Sequence, residues 1–476
     1  MRNPTHPLCL AALALAAAAL TGCQTYEQKT SEAKNIWKSG NYAAAAADFT
    51  QKAEKAKDGK DGLVYRLEQA TALRAAGKIP ESTEAFQQAE DVINAYEEKA
   101  KTSVASETGA ILSSQANLPY TGRDYDKVMV NTYKALNYLQ LGQSEKARPE
   151  IIRTFQRQQD AVENNKKRIE KEEQEIRKAG DEKKNESRSV EQAKADPKVS
   201  GLLKDNYSPL DTLKAYADYV NPFPVYLDGL YFLTFAAGGS DLERARKSFE
   251  RVKGLSGENK YINADLAVAE KAANGEPVPP RTYVIFETGS APARGQFRVD
   301  LPVFFIGSGR VPYVGAAFPK LEFDATYVPS LNVTADGATE TTTQLASMDG
   351  VVGQAFKDEL PSVITKTLLS TTIKATASYF VNQAAEQGGA IAGLLSKVAT
   401  AATQAAVNIA DTRTWTTLPK EFQYCSFPTP ADSKLDIAAA NGQKTGVAVE
   451  PNSTSLVLVK SVGPGTPLVV NVIKLK

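Results

Sequence analysis

The stretch Gly275, Glu276, Pro277, Val278, Pro279, Pro280 constrains the fold most, because the hydrophobic period of the chain changes across it. Proline removes a backbone donor and fixes φ, so neither a helix nor a central strand runs through this stretch. From Tyr26 to about Ala273, Ala, Glu, Lys, Gln and Leu dominate, which predicts helices. Beyond it come strand-like runs: Thr282 to Glu287, Gln296 to Phe305, Arg310 to Phe318, Leu321 to Val328 and Thr339 to Leu345. A helical pair follows, Val351 to Ala385 and Ala390 to Ala410, divided by Gly388 and Gly389. Strands resume at Glu421 to Phe427, Leu435 to Ala440, Thr445 to Glu450, Ser455 to Val462 and Leu468 to Lys474. The expectation is an α+β multidomain chain. A helical domain covers 23–276, and a β-sheet or sandwich domain covers 277–476 with a helical hairpin inserted at about 351–410.

The helical part carries a recurring spacing. Gly40, Tyr42, Ala45 and Phe49 are matched by Gly77, Ile79, Ser82, Phe86 and Ala89, then by Gly142, Ser144, Ala147, Ile151 and Thr154. Leu242, Ala245, Phe249 and Val252 follow the Gly238, Gly239, Ser240 turn. Gly ends one helix in a left-handed conformation and small residues let the next lie close against it. This resembles tetratricopeptide repeats without their regular 34-residue period, and predicts an irregular helical-hairpin array. A generic helical bundle with Gly turns is the other reading.

Residues 103 to 124 are rich in Ser, Gly and Pro and read as a surface loop. From 157 to 198 the charges are mixed and dense, and Phe155, Val162, Ile169 and Ile176 recur every seven residues. One such stripe is half a coiled-coil seam, which predicts a protruding solvated helix rather than a zipper. The aromatic run Tyr219 to Tyr226, continued by Leu230 to Leu233, predicts a turn at Pro222 and Pro224 and a helix from about Val225. It reads as core between hairpins, with a peptide groove as the alternative.

At the N-terminus, Arg2 precedes an apolar run from Leu8 to Leu20, the layout of a secretory signal peptide and too short to span a bilayer. Leu20, Thr21, Gly22 and Cys23 close it. This order resembles the lipobox of bacterial lipoproteins, which implies cleavage after residue 22, acylation of Cys23 (palmitate included) and membrane attachment through that lipid. A non-cleaved anchor, or an ordinary signal peptide with a chance Cys, is the competing reading. Gln24, where Asp would favour inner-membrane retention in enteric-type sorting, points to the outer membrane. Lys397, Gln404 and Asn408 disfavour insertion of the Ala-rich helix.

Cleavage at residue 22 removes the single histidine, His6, and Cys9. What remains has no histidine, so Ser–His–Asp, Cys–His and His-ligated metal chemistry drop out. Cys425, in Gln423, Tyr424, Cys425, Ser426, Phe427, reads as a buried strand residue, and no disulfide is expected. There is no Walker-type loop; Gly307, Ser308, Gly309 is too short a signal. The chain holds 56 basic and 55 acidic residues, and loss of Arg2 equalises them, so net charge steers nothing to nucleic acid. No catalytic residue, metal or cofactor is expected.

Residues 410 to 419 read Ala-Asp-Thr-Arg-Thr-Trp-Thr-Thr-Leu-Pro. With Tyr133 to Leu139 and Gly142, Asn221 to Tyr226 with Gly229 and Leu230, Glu287, Gly289 and Pro292, and Glu359 to Pro361, they resemble a family of poorly characterised bacterial lipoproteins. Those have a tetratricopeptide-like N-terminal half and an ADxRxWxxLP-type motif. The resemblance implies the architecture and no activity. Asp411 and Arg413 are expected to flank the second inserted helix, with Trp415 and Leu418 against the sheet. This makes a structural hinge or, alternatively, an interaction site for carbohydrate or peptide.

The resulting expectation is a lipid-anchored protein of the cell outer membrane, facing the periplasm. It would scaffold or assist outer-envelope assembly through an envelope protein partner, without nucleic acid. The alternatives are an activator of a peptidoglycan synthase and a carboxylate-dependent wall glycosidase.

Overall fold

A computed structural model describes residues 24–102, 115–213, 216, 220–302, 313–387 and 409–476. The leader, the lipobox residues Leu20, Thr21, Gly22 and Cys23, and the second inserted helix up to residue 408 lie outside these residues. The chain is α+β. Helices α1 (Tyr26–Lys38), α2 (Tyr42–Ala56), α3 (Gly62–Ala75) and α4 (Ile79–Thr102) are followed by α5 (Asp124–Gln140) and α6 (Ser144–Glu182). Then come α7 (Lys184–Ala195), α8 (Pro197–Tyr207), α9 (Pro222–Thr234), α10 (Gly239–Ser256) and α11 (Lys260–Ala273). Consecutive helices pack against each other across short turns, α2 on α3 and α3 on α4, then α5 on α6 and α9 through α11.

Gly77 and Gly142 take φ of +75° and +68° after α3 and α5. At Gly77, the next amide reaches back from Lys78 N to Leu73 O at 2.9 Å, closing the helix end. Gly238 differs: its φ is 179°, ordinary extended backbone, because here the residue precedes a helix instead of ending one. Helix α9 begins at Pro222, three residues before the expected start. A first-turn proline gives up no needed donor, and Asn221 caps the helix by accepting from Phe223 N at 3.0 Å.

The strands are β1 (Arg281–Thr288), β2 (Ala293–Pro302), β3 (Tyr313–Glu322), β4 (Leu331–Ala335), β5 (Ala338–Thr341) and β6 (Thr343–Ser347). After helix α12 (Met348–Gln387) come β7 (Glu421–Pro428), β8 (Lys434–Ala439), β9 (Lys444–Ala448), β10 (Ser455–Ser461) and β11 (Val469–Lys474). A mixed sheet has the order β11-β10-β1-β7-β6, with β1 parallel to β10. A second sheet is β5-β4-β8-β9, and β2 and β3 form a separate hairpin. Every residue of β1 and β10 is buried, so these two strands are covered on both faces, and their uninterrupted apolar runs follow.

Two strand expectations are corrected. No strand spans Leu321 to Val328: β3 stops at Glu322, and Asp324 turns the chain by accepting from Thr326 N at 2.9 Å. Thr339 to Leu345 is divided between β5 and β6 in different sheets, because Thr342 turns inward and pairs with Leu331 at 2.9 and 2.8 Å. The short strand β4 carried no pattern strong enough to be expected.

The charged segment 157–198 is not a lone protruding helix. Helix α6 runs to Glu182, after which α7 and α8 fold back and pack on α12 and the β2–β3 hairpin. Ala179, Val190 and Val199 share a small core with Phe318, Leu368 and Leu369. Of the seven-residue stripe only Val162 is exposed; Phe155, Ile169 and Ile176 are half-buried. Glu172 and Glu175, beside Ile169 and Ile176 on the helix, meet Lys366 at 3.7 and 3.6 Å, so ion pairing with α12 holds this part of α6 against the body.

The main core runs from Tyr26 to Leu475 and does not break at the proline-rich stretch. Phe223 stacks on Phe422 of β7 at 3.9 Å between ring centroids, and Tyr226 meets Tyr424 at 4.6 Å. The aromatic run is thus core between α9 and the mixed sheet. Buried Asp265 on α11 accepts from Tyr226 and Ser426 at 2.9 Å, also from Tyr424, and faces Arg281 at 3.3 Å.

Candidate interaction site

A cleft of about 340 Å³ opens between the start of α5, the middle of α6 and the first half of α12. Its walls form because three local devices fix the chain at Arg123. Tyr120 donates to Asp126 at 2.6 Å, Arg123 N donates to the same carboxylate at 2.8 Å, and Gly122 takes φ of +81°. The Arg123 side chain then crosses to α12 and holds Glu359 at 2.7 and 2.9 Å. Arg294 reaches Glu359 from β2 at 3.1 Å. Val128, Ala161, Val351, Ala355 and Val363 supply apolar lining, and Leu118 is exposed at the rim.

The charged groups of the lining are paired. Lys127 meets Glu97 and Asp124 at 3.1 and 3.3 Å, Arg168 meets Glu172 at 3.1 Å, and Arg413 holds Asp411 at 2.7 Å. Burial by itself would raise the Glu359 carboxyl, but Arg123 and Arg294 pull it down to about 2. Asp411 is likewise held below its usual range, burial being outweighed by Arg413. For Glu359 the folded value lies below the ordinary one, so its stabilisation is complete above the usual glutamate range and is lost as pH falls toward about 2. Glu359→Gln is therefore expected to lower stability by roughly 3 kcal/mol at neutral pH. The difference from the wild type should shrink between pH 4.5 and pH 2, read from urea midpoints across that range.

The motif at 410–419 divides between cleft and core. Asp411 and Arg413 line the cleft. Arg413 also donates to Leu118 O at 2.6 Å, Gln115 O at 2.7 Å and Lys60 O at 3.2 Å, gathering two turns of the helical part around one planar fork. Ile409 and Ala410, the described residues just ahead of them, are not helical. Trp415 is fully buried, against helices rather than against the sheet as expected. Its ring packs on Phe86 and Tyr133 at 5.9 and 6.0 Å, and Nε1 donates to Thr71 and Thr417 at 3.0 Å. Next to it Glu68 of α3 accepts from Thr416 N and Oγ1 at 2.7 Å and from Thr417 N at 2.9 Å. The extended segment after Ala410 is thus seated on α3, α4 and α5 by the helices' own side chains.

Sequence reasoning missed Arg123, Arg294 and Glu68, and gave Glu359 and Glu287 no role. Glu68 lies in the helical run Leu63 to Ala75 beside Arg66, Gln69 and Arg74, so nothing in the sequence set it apart. Arg123, Arg294 and Glu359 come from three remote elements, and no spacing links them. Cys425 is fully buried, and burial pushes its thiol well above the usual range. Among the described residues no group of three or more His, Cys, Asp or Glu is placed to hold a metal ion, and no helix is long and apolar enough to cross a membrane. No protein-family model, curated protein or solved structure matches the chain.

Proposed function

We propose that this chain is a lipid-anchored cell-envelope protein, held at the outer membrane through Cys23, that acts as an interaction scaffold or accessory factor in envelope assembly. We read its helices as an irregular tetratricopeptide-like array; Gly40, Gly77 and Gly142 at positive φ, each before the next packed helix, support that reading. The face such an array would offer a guest is taken here by the chain's own segment 411–420 around Trp415. The cleft beside Arg123 is then the surface for a partner.

The observation that carries this reading is the chemistry of the cleft. It joins apolar lining to carboxylates that are already paired, and Glu359 and Asp411 are both held ionised. A glycosidase needs one carboxyl raised to act as an acid, so these groups suit binding better than bond cleavage. A photo-crosslinking residue at Ala355 in cells is expected to capture a defined envelope protein that the same residue at exposed Lys247 does not. Ala355→Trp, which fills the cleft, is expected to abolish that capture while the protein stays folded by circular dichroism. Capture unchanged by Ala355→Trp, or release of muropeptides from peptidoglycan by the purified protein, would sink the proposal.

A further inference from the structure

The described chain starts one residue after Cys23, and it starts without slack. Thr25 and Gln28 form a reciprocal cap on α1: Thr25 N donates to Gln28 Oε1 at 3.0 Å and Gln28 N to Thr25 Oγ1 at 3.3 Å. Thr25 is buried, and Tyr26 behind it is core, its ring 5.2 Å from that of Tyr65. Gln24 is therefore the whole tether between a lipidated Cys23 and the folded body. Successive Cα atoms are about 3.8 Å apart, so the acylated residue would sit against the surface around Gln24.

That surface is assembled from four stretches of chain. Gln24, Lys29, Lys60, Ala116 and Ile409 line one small cavity there. Arg413 and the Lys60 carbonyl fasten it from beneath, the latter accepting from Tyr120 N at 2.8 Å. Exposed Leu118 projects beside it; Lys29 at the rim is exposed and pairs with Asp61 at 3.4 Å, and half-buried Lys60 donates to Asn117 at 3.1 Å. An apolar side chain among lysines suits the headgroup layer of a phospholipid leaflet.

Resting on the lipid-anchored reading above, we infer that the face formed by Gln24, the turn at 115–118 and Ile409–Ala410 lies flat on the phospholipid leaflet that holds Cys23. The body has one orientation on the membrane, not the free swivel of a lipoprotein on a long linker. Because Gln115, Leu118, Asp411 and Arg413 belong to the cleft as well as to this region, the cleft opens beside the leaflet. A partner entering it approaches along the membrane.

The test uses full-length lipidated protein in vesicles of phosphatidylethanolamine and phosphatidylglycerol with brominated acyl chains. A fluorophore is placed on Leu118→Cys or on Lys444→Cys; Cys425 is fully buried and does not label. Lys444 follows Gln443, which bonds Thr466, and Thr466 lies against Gly40 past the far end of α1. Helix α1 is about 20 Å long, so that site lies about a helix length from Gln24. The expected result is loss of most of the Leu118 fluorescence with the Lys444 signal unchanged. The mass of the mature N-terminal peptide separates the two readings. If it carries no lipid, the anchoring falls and takes this inference with it. If it is lipidated and both labels are quenched equally or not at all, the orientation alone is overturned.

Discussion

Glu287→Gln is expected to cost about 3–5 kcal/mol of folding stability, read as a large fall in the urea midpoint. The carboxylate lies fully buried where helices meet the mixed sheet. It faces Arg74 of α3 at 3.1 Å and Lys460 of β10 at 2.9 Å, and it accepts from Tyr133 of α5 at 3.3 Å. Burial by itself would raise this carboxyl, but Lys460 and Arg74 outweigh it and hold it ionised. Burial in turn lowers Lys460. Removing the one anion leaves two buried cations without a counter-charge, and the desolvation already incurred is no longer offset. A chain with Arg74→Met, Glu287→Leu and Lys460→Met together is expected to be more stable than Glu287→Gln, because no uncompensated charge remains. Equal midpoints for the two variants would show that packing, not charge, sets the cost.

Glu68→Ala is expected to release the segment after Ala410 and to cost roughly 3 kcal/mol or more, since the amides of Thr416 and Thr417 lose their acceptor inside the core. Limited proteolysis is the direct readout. New cleavage is expected within 409–420 at protease levels that leave the wild type intact. Burial raises the Glu68 carboxyl, and the Thr416 and Thr417 donors pull it back. Glu68→Gln is expected to fall between the two, because one amide oxygen accepts less than a carboxylate and its NH₂ meets donors. If Glu68→Ala leaves the proteolytic pattern unchanged, the segment is held by Trp415 packing alone.

Most of the element order was legible because it is written in local pattern. The Ala- and Leu-rich runs with Gly at their ends gave the helices, and β1, β7, β8 and β10 stand within a residue or two of their expected limits. Legibility failed where the deciding interaction was remote. The dense mixed charges of 157–198 suggested a helix standing in solvent, but Lys366 of α12 pairs with Glu172 and Glu175 and holds it against the body. Thr342 looked like mid-strand until its contact with Leu331 broke the run. Asp411, Arg413 and Trp415 stand out as a motif, yet nothing in ten consecutive residues told that Arg413 would hold two helical turns, or that Trp415 would bury against helices and not against the sheet.

The sequence by itself determined the α+β composition of the chain and most of the order of its helices and strands, because periodicity and turn residues act over a few residues. Only the tertiary structure decided that Glu287, Glu68 and Asp265 join the helices to the strands, and that Arg123 and Glu359 build a cleft. Glu287 lies 213 residues from Arg74, Arg123 lies 236 from Glu359, and Glu68 lies 349 from Thr417. A buried charge must find a counter-charge wherever the fold brings one, and sequence distance does not enter that requirement.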